Sequence, residues 1–253
     1  MINPDRYKKK DDAYFLDEIR EVLRLRPTYG YKRITAMINR KLKDQGLKKI
    51  NKKRVYRVMD MNGLILKRLE NLPRKQKTGK IVTLHSNTRW CSDAYEIHCF
   101  NGEKVYVAFC LDTHDRECIA HVASKEPLLA KDIQNLMLKS IHSRFDSFQA
   151  PKPIQFLSDR GSIYRAKETI RLGKSIGLDS CYTRAYSPQS NGMSEAFVNT
   201  SKRDYVYTHD CYDADTVMEM IPQWYQDYNE NAPHSGLGMK SPLEYRKSIN
   251  SGV

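Results

Sequence analysis

RWCSDAYEIHCF (residues 89–100), KVYVAFCLDTH (104–114) and ECIAHVAS (117–124) follow one another with only short breaks. All three are rich in β-branched and aromatic residues and read as strands. Asn101-Gly102 is a tight-turn dipeptide, so the first two predict a hairpin. His114-Asp115-Arg116 turns the chain into the third. Further along, residues 127–144 predict a helix. PIQFLSD (153–159) is a short, nearly continuous apolar strand suited to a buried position. Residues 164–176 return to helix, LDSCYT (178–183) is another strand, and helices resume near 191, 214 and 242. Three meander strands followed by alternating β and α predict an α/β domain with a mixed sheet.

The chain before this domain has a different period. DAYFLDEIREVLRL (12–25) places Phe15, Leu16, Ile19, Val22 and Leu23 at helical spacing, and Pro27 ends the helix. Thr28 is a candidate cap for a second helix with Ile34, Met37, Ile38 and Leu42 on one stripe. Asn51 caps a third, with Val55, Val58 and Met59 inward and Gly63 as its stop. Two short helices, the second basic at its front, fit a helix-turn-helix. Lys52, Lys53, Arg54 and Arg57, with Lys32 and Arg33, are the candidate DNA contacts. Residues 70–84 read as a basic linker. The expected organisation is a helical DNA-binding region (1–69), the linker, and an α/β domain with C-terminal helices (85–253).

Charge divides along the same line. Residues 1–84 hold 24 Lys and Arg against 9 Asp and Glu, whereas 85–253 hold 19 against 21. The net positive charge lies wholly in the first third, which points to a polyanion partner there, nucleic acid above all. No stretch approaches the roughly 18 consecutive apolar residues of a membrane span. The start lacks the apolar stretch of a secretory signal, so a cytoplasmic, DNA-associated protein is expected. Six dispersed cysteines without a CxxC pair predict free thiols. His114, Cys118 and His121 could be read as zinc ligands, but the short knuckle spacing is missing.

Three acids carry the chemistry. Asp93 falls inside a strand run, a poor place for a charge. Asp159 ends the fourth strand run, ahead of a turn at Gly161, and strand C-termini are where α/β sheets hold ligands. Glu195 opens a helix behind the turn-rich SPQSNG (187–192). Asp112, at the end of an apolar strand, is the strongest rival to Asp93, and Asp115 is another. Converging carboxylates repel one another unless a cation intervenes. Mg²⁺ takes hard oxygen ligands and serves phosphoryl displacement. On the helix after Glu195, Asn199, Lys202 and Arg203 share its face, with Met193, Ala196, Phe197 and Thr200 on another, the side expected to be buried.

Asp159 and Glu195 are separated by 35 residues. Together with RWCSDAYEI, FLSDRGSIY and SPQSNGMSEAFVNTSKRDY, this resembles the D,D(35)E enzymes, the retroviral-integrase-like transposases. Lys202, YNENAPHSGLGMKSPLEY and the TYGYKRI/NKKRVYRVM pair extend the resemblance over nearly the whole chain. It is similar to downstream-frame products of bacterial insertion sequences. The resemblance implies an RNase H-like five-stranded mixed sheet flanked by helices. It implies Mg²⁺-dependent cleavage at the element's ends, with Mn²⁺ as a substitute, and strand transfer by the freed 3′-hydroxyl. It gives metal binding and catalysis to Asp93, Asp159 and Glu195, and DNA contact to Lys202 with Arg203. Arg160 stands where relatives often carry a small or amide residue, and could grip the scissile strand. The implied partners are terminal inverted repeats and target DNA, further copies of the chain, and the upstream-frame product, separate or fused.

The alternative from another class is a DNA-binding regulator or defective copy without turnover. A nuclease of the same fold acting on RNA–DNA hybrids suits the duplex-reading basic region less well. A tyrosine recombinase would need an HxxR motif, and none is present.

Overall fold

A computed structural model of the chain describes residues 9–66, 83–183 and 192–250. The chain divides into two units, Met1–Gln76 with Ala232–Ser241, and Lys77–Asn231 with Pro242–Val253. Residues 70–82 of the expected linker and the turn-rich run 187–191 lie outside the described residues.

In the first unit, α1 (Asp12–Leu25), α2 (Tyr31–Asp44) and α3 (Lys52–Met61) enclose a core of Ile19, Tyr29, Ile34, Ile38, Leu42, Val55, Val58 and Met59. Every stripe residue expected to be innermost is in it or packs against it. Asn51 caps α3, its side chain accepting the Lys53 N–H at 2.8 Å. Thr28 does not cap α2, which starts only after Gly30. Tyr29 is turned inward, 1% exposed, so the chain remains non-helical until this anchor is buried. Asn39 joins α2 to the approach to α3, accepting the Ile50 N–H at 2.7 Å and donating to the Ile50 carbonyl at 3.1 Å. That pair of hydrogen bonds fixes the turn of the helix-turn-helix.

In the second unit, β1 (Arg89–His98), β2 (Lys104–Asp112), β3 (Cys118–Ser124), β4 (Ile154–Ser158) and β5 (Leu178–Tyr182) form one sheet in the order β3-β2-β1-β4-β5. The meander is antiparallel; β4 and β5 join parallel to β1. This is the mixed five-stranded sheet expected from the alternation of elements. The pleat gives it two faces. Trp90, Ala108, Cys110, Ile154 and Phe156 face α4 (Ala130–Phe145) and its stripe of Ile133, Leu136, Met137 and Ile141. Phe109, opposite Asp93, faces the other way, onto Phe197 of α7 (Gly192–Asp204). Phe197 in turn packs on Tyr225 and Tyr228 of α8 (Ala214–Asn231). The single helix expected over 164–176 is two, α5 (Ser162–Arg165) and α6 (Lys167–Ser175). Ala166 between them is extended, with ψ 134°. α9 (Pro242–Asn250) closes the unit.

Asp112 has a structural task. Its side chain and those of Asp115 and Arg144 are 0% exposed. The Arg144 guanidinium reaches Asp112 at 2.9 Å and Asp115 at 2.5 Å, and also binds Glu117. Arg246 of α9 meets Glu117 at 2.8 Å. Asp112 further accepts the Asn87 and His114 N–H groups at 2.6 and 2.7 Å, so the buried charge is both paired and hydrogen-bonded.

His114, Cys118 and His121 are not gathered into one group among the described residues. His114 Nδ1 lies 2.8 Å from the Thr83 carbonyl, and Cys118 is buried. His121 instead packs edge-on against Tyr225, ring centroids 4.6 Å apart. Among the described residues all six cysteines are free thiols.

Burial, helped by Lys139, pushes the His121 imidazole down to about 4, so it is neutral at pH 7. The unfolded chain takes up this proton near pH 6.5 and the folded chain only near 4. Stability from this group is complete above about 6.5 and falls as pH drops towards about 4, by roughly 3 kcal/mol. Thermal melts of wild type and His121→Gln between pH 7.5 and 4.5 should show a shallower acid loss in the variant. Parallel curves would mean that His121 is not the group concerned.

Candidate active site

β1 and β4 run in parallel with Cys91 beside Leu157 as the last pair of the ladder. Two residues on, the same alignment brings Asp93 of β1 and Asp159, just past β4, to the same side of the sheet. Asp93 is in the strand interior, opposite Phe109, and half-buried. Asp159 is exposed at the strand's C-terminal end. Its Oδ1 accepts the Gly161 N–H at 2.9 Å, and a Cβ built on Gly161 would lie 3.0 Å from that oxygen. A side chain at Gly161 would therefore crowd the Asp159 carboxylate and ask it to shift by a few tenths of an ångström.

Glu195 arrives on the same face from the first turn of α7. The inward stripe of this helix is Ser194, Phe197, Ser201 and Asp204. This corrects the expected inner face: Ala196 is exposed, and Met193 and Thr200 are only half-buried. The small serines let α7 settle on β1, where Ser194 is a neighbour of the buried Cys91. Burial pushes the Cys91 thiol up to about 12, so it is a neutral packing group beside the acids.

Burial and the charges of Asp159 and Glu195 together push the Asp93 carboxyl up to about 6, against its bond from the Ala94 N–H. The structure thus brings Asp93, Asp159 and Glu195 within electrostatic range of one another. It does not bring them into a closed chelate: among the described residues no three His, Cys, Asp or Glu side chains are grouped so as to hold an ion. The donor chemistry fits a hard divalent cation. All three ligating groups are carboxylates, and their mutual repulsion is what a positive ion relieves.

The expected DNA contacts are not equivalent. Lys32, Lys52 and Lys53 are exposed. Arg54 and Arg57 are instead drawn onto α1, meeting Asp12 at 2.8 and 2.6 Å, with Arg54 4.6 Å over the Phe15 ring. Against the cost of burial, the Lys9 N–H and both guanidinium groups hold the Asp12 carboxyl below its ordinary range. Arg33 stacks 4.0 Å over Tyr29 and donates to the Thr28 carbonyl. Arg54 and Arg57 thus tie α3 to α1, while Arg33 packs on the segment just before its own helix. On α7, Arg203 is gripped by Asp204 through two bonds at 2.6 and 2.7 Å. Lys202 lies half-buried, 5.7 Å over the Tyr95 ring. Arg160 is exposed and donates to the Thr183 carbonyl at 3.2 Å.

Sequence reasoning missed the Tyr95–Tyr225 hydroxyl pair, 2.8 Å apart, which ties β1 to α8 beneath the acids. Both tyrosines lay in apolar stripes, where nothing distinguished them from packing residues. It also missed Arg144, although that residue continues the Leu136, Met137, Ile141 stripe at helical spacing.

Known families match along the chain. An HTH-like domain matches residues 9–70, and two descriptions of the integrase core domain match 84–188 and 177–242. The chain is 39% identical over 242 residues to "Transposase InsD for insertion element IS2A/D/F/H/I/K" of Escherichia coli, covering 95% of this chain and 80% of that one. It is equally similar to "Transposase InsD for insertion element IS2-9" of Escherichia coli strain K12, covering 95% and 79%. Among solved structures, a simian T-cell lymphotropic virus intasome chain superposes with a TM-score of 0.54 at 13% identity, covering 90% of this chain and 73% of that one. That likeness speaks for the RNase H-like fold alone. With a relative at this identity matched over most of its length, the chain belongs to the insertion-element transposases of the DDE integrase-like superfamily, enzymes of polynucleotidyl transfer.

Proposed function

We propose that Asp93, Asp159 and Glu195 jointly hold Mg²⁺, or Mn²⁺ in its place, and carry the cleavage and strand-transfer steps at the ends of the element. One observation supports this: the β1–β4 register and the packing of α7 on the same sheet face set three acids distant in sequence on one side of the sheet, with Asp159 and Glu195 both in electrostatic reach of Asp93. When bound, the ion supplies a Lewis acid for phosphate oxygens and lowers the pKa of the attacking water or 3′-hydroxyl. The protein's part is to fix the oxygens. Asp93 is held by the β1 pleat and by the Ala94 N–H, Asp159 by the Gly161 N–H, and Glu195 by the packing of α7 on β1.

The exposed Lys32, Lys52 and Lys53 then meet the DNA backbone, and Lys202 and Arg160 border the scissile strand. The substrates are the element's terminal inverted repeats and a target duplex. A multimer on DNA, with the upstream-frame product, completes the machine. No described helix is long and apolar enough to cross a membrane. Work on chromosomal DNA places the chain at the bacterial nucleoid, in the cytoplasm.

The test is purified full-length protein, with and without the upstream-frame product, and end-labelled DNA carrying the repeats. Cleavage should appear with Mg²⁺ or Mn²⁺ and vanish with EDTA, while the retarded protein–DNA band persists. Tight binding with no cleavage under any divalent ion favours the regulator reading. Cleavage that survives chelation excludes the metal.

A further inference from the structure

Asp93 and Asp159 both lie past the end of the ladder that joins their strands. The last β1–β4 pair is Cys91 with Leu157, and Ser158 is paired with Tyr182 of β5 instead. The sheet itself therefore leaves the spacing of the two acids open. Asp159 leads into α5, a single helical turn too short to be stable by itself. One side chain anchors that turn. Tyr164 is 3% exposed and sits in the core between the sheet and α4. Its hydroxyl meets the Ser92 Oγ at 2.9 Å, and Ser92 is fully buried. Ser92 directly precedes Asp93, and the strand pleat turns it to the opposite face of β1.

Backbone bonds complete the connection. The Gly161 N–H donates to Asp159 Oδ1 at 2.9 Å, and the Tyr164 N–H donates to the Gly161 carbonyl at 3.1 Å. Asp159 is thus linked through Gly161, Tyr164 and Ser92 to the residue beside Asp93. The Tyr164–Ser92 bond is the step that crosses from the turn to β1. Burial, with the Asp93 and Asp159 charges nearby, pushes the phenol well above its ordinary value, so it stays a neutral hydroxyl. We propose that Tyr164 is a positioning residue: its bond to Ser92 holds the Asp159 turn at the separation from Asp93 that a shared metal ion requires. This rests on the reading of both acids as metal ligands. Phenylalanine would fill the same core space but leave the Ser92 hydroxyl buried without this partner and the turn free to shift.

The experiment compares full-length wild type with Tyr164→Phe, Ser92→Ala and the double variant. Mn²⁺ binding is measured without DNA by electron paramagnetic resonance, and end cleavage is titrated with Mg²⁺. Each single variant should raise both metal midpoints at least about fivefold, and the double should be little worse, since the bond is lost only once. Cleavage at saturating Mg²⁺ should return to within about threefold of wild type. Ile133→Val, a core change on α4 that also lowers the melting temperature, should leave the metal midpoints in place. Unchanged midpoints in Tyr164→Phe overturn the proposal. So does a cleavage loss that saturating metal does not restore, or an equal midpoint shift in Ile133→Val, which would make the effect one of general stability. If Asp93→Asn and Asp159→Asn leave Mn²⁺ binding untouched, the metal reading fails by itself. Amide exchange at residues 161–165 then decides the role of the tie: faster exchange in Tyr164→Phe supports it, and unchanged exchange overturns it.

Discussion

Asp159→Asn is expected to leave DNA binding intact and to lower end cleavage by on the order of 10³-fold. The substitution keeps the shape of the side chain and removes one negative oxygen from the acid group. Metal-assisted charge stabilisation supplies several kcal/mol to phosphoryl displacement, and about 4 kcal/mol is about a thousandfold in rate. Asp93→Asn and Glu195→Gln should each cost as much, and pairs of them little more, because the first loss already dismantles the shared site. The variants should melt at or above the wild-type temperature. Half-buried Asp93 is disfavoured as an anion by burial and by its two acidic neighbours, so neutralising it relieves the fold. Quantifying nicked product from labelled repeat-end DNA, alongside thermal melts, checks both halves. Asp159→Asn protein retaining more than a tenth of the wild-type rate would move the chemistry elsewhere.

Arg144→Met is expected to destabilise the second unit by about 3–5 kcal/mol, a large share of the 5–15 kcal/mol that separates folded from unfolded domains. The wild-type guanidinium holds Asp112, Asp115 and Glu117 in a pocket closed to water. Methionine fills much of the volume but leaves those carboxylates facing one another, with Arg246 reaching only Glu117. Burial and the charge of Asp115 already push Asp112 up against the pull of Arg144, so the uncompensated acids would take up protons on folding. Arg144→Lys should recover only part of the loss, because an ammonium lacks the planar fork that reaches three partners. Urea titrations give the comparison. A midpoint within experimental error of wild type for Arg144→Met would show that the cluster contributes nothing net. Asp112→Asn should lower the midpoint, whereas Asp93→Asn should not, which separates by measurement two acids that looked alike as residues in apolar strands.

Much of this was legible before any coordinates. Strand runs and turn dipeptides placed all five strands in order, because alternation and Asn-Gly punctuation are local signals. The partition of charge pointed to a nucleic-acid partner for the helical region. Asp159 and Glu195 were readable from spacing and resemblance. Less legible was everything that depends on which side chains meet across the fold. Asp93 and Asp112 each sit in an apolar strand run, and only tertiary contacts show that one has Arg144 behind it while the other faces two acids. Arg54 and Arg57 read as groove contacts because they crowd the front of a basic helix; their partner, Asp12, is 42 and 45 residues away and carried no local signal. The inner face of α7 was misread for a related reason. Serines are ordinarily outward residues, and here two of them are turned in because a bulkier side chain would hold the helix off β1.

The alignment of Cys91 with Leu157 has a consequence for how such elements tolerate insertions and deletions. Side chains alternate along a strand, so losing or gaining one residue inside β4 would swing Asp159 to the α4 side and leave Asp93 facing empty pleat. The connection at 146–153 imposes no such parity, and surface connections accept changes in length. Drifting copies should therefore accumulate indels in that connection and almost never in the five residues of β4, a bias that can be counted in genomic copies without any protein being made.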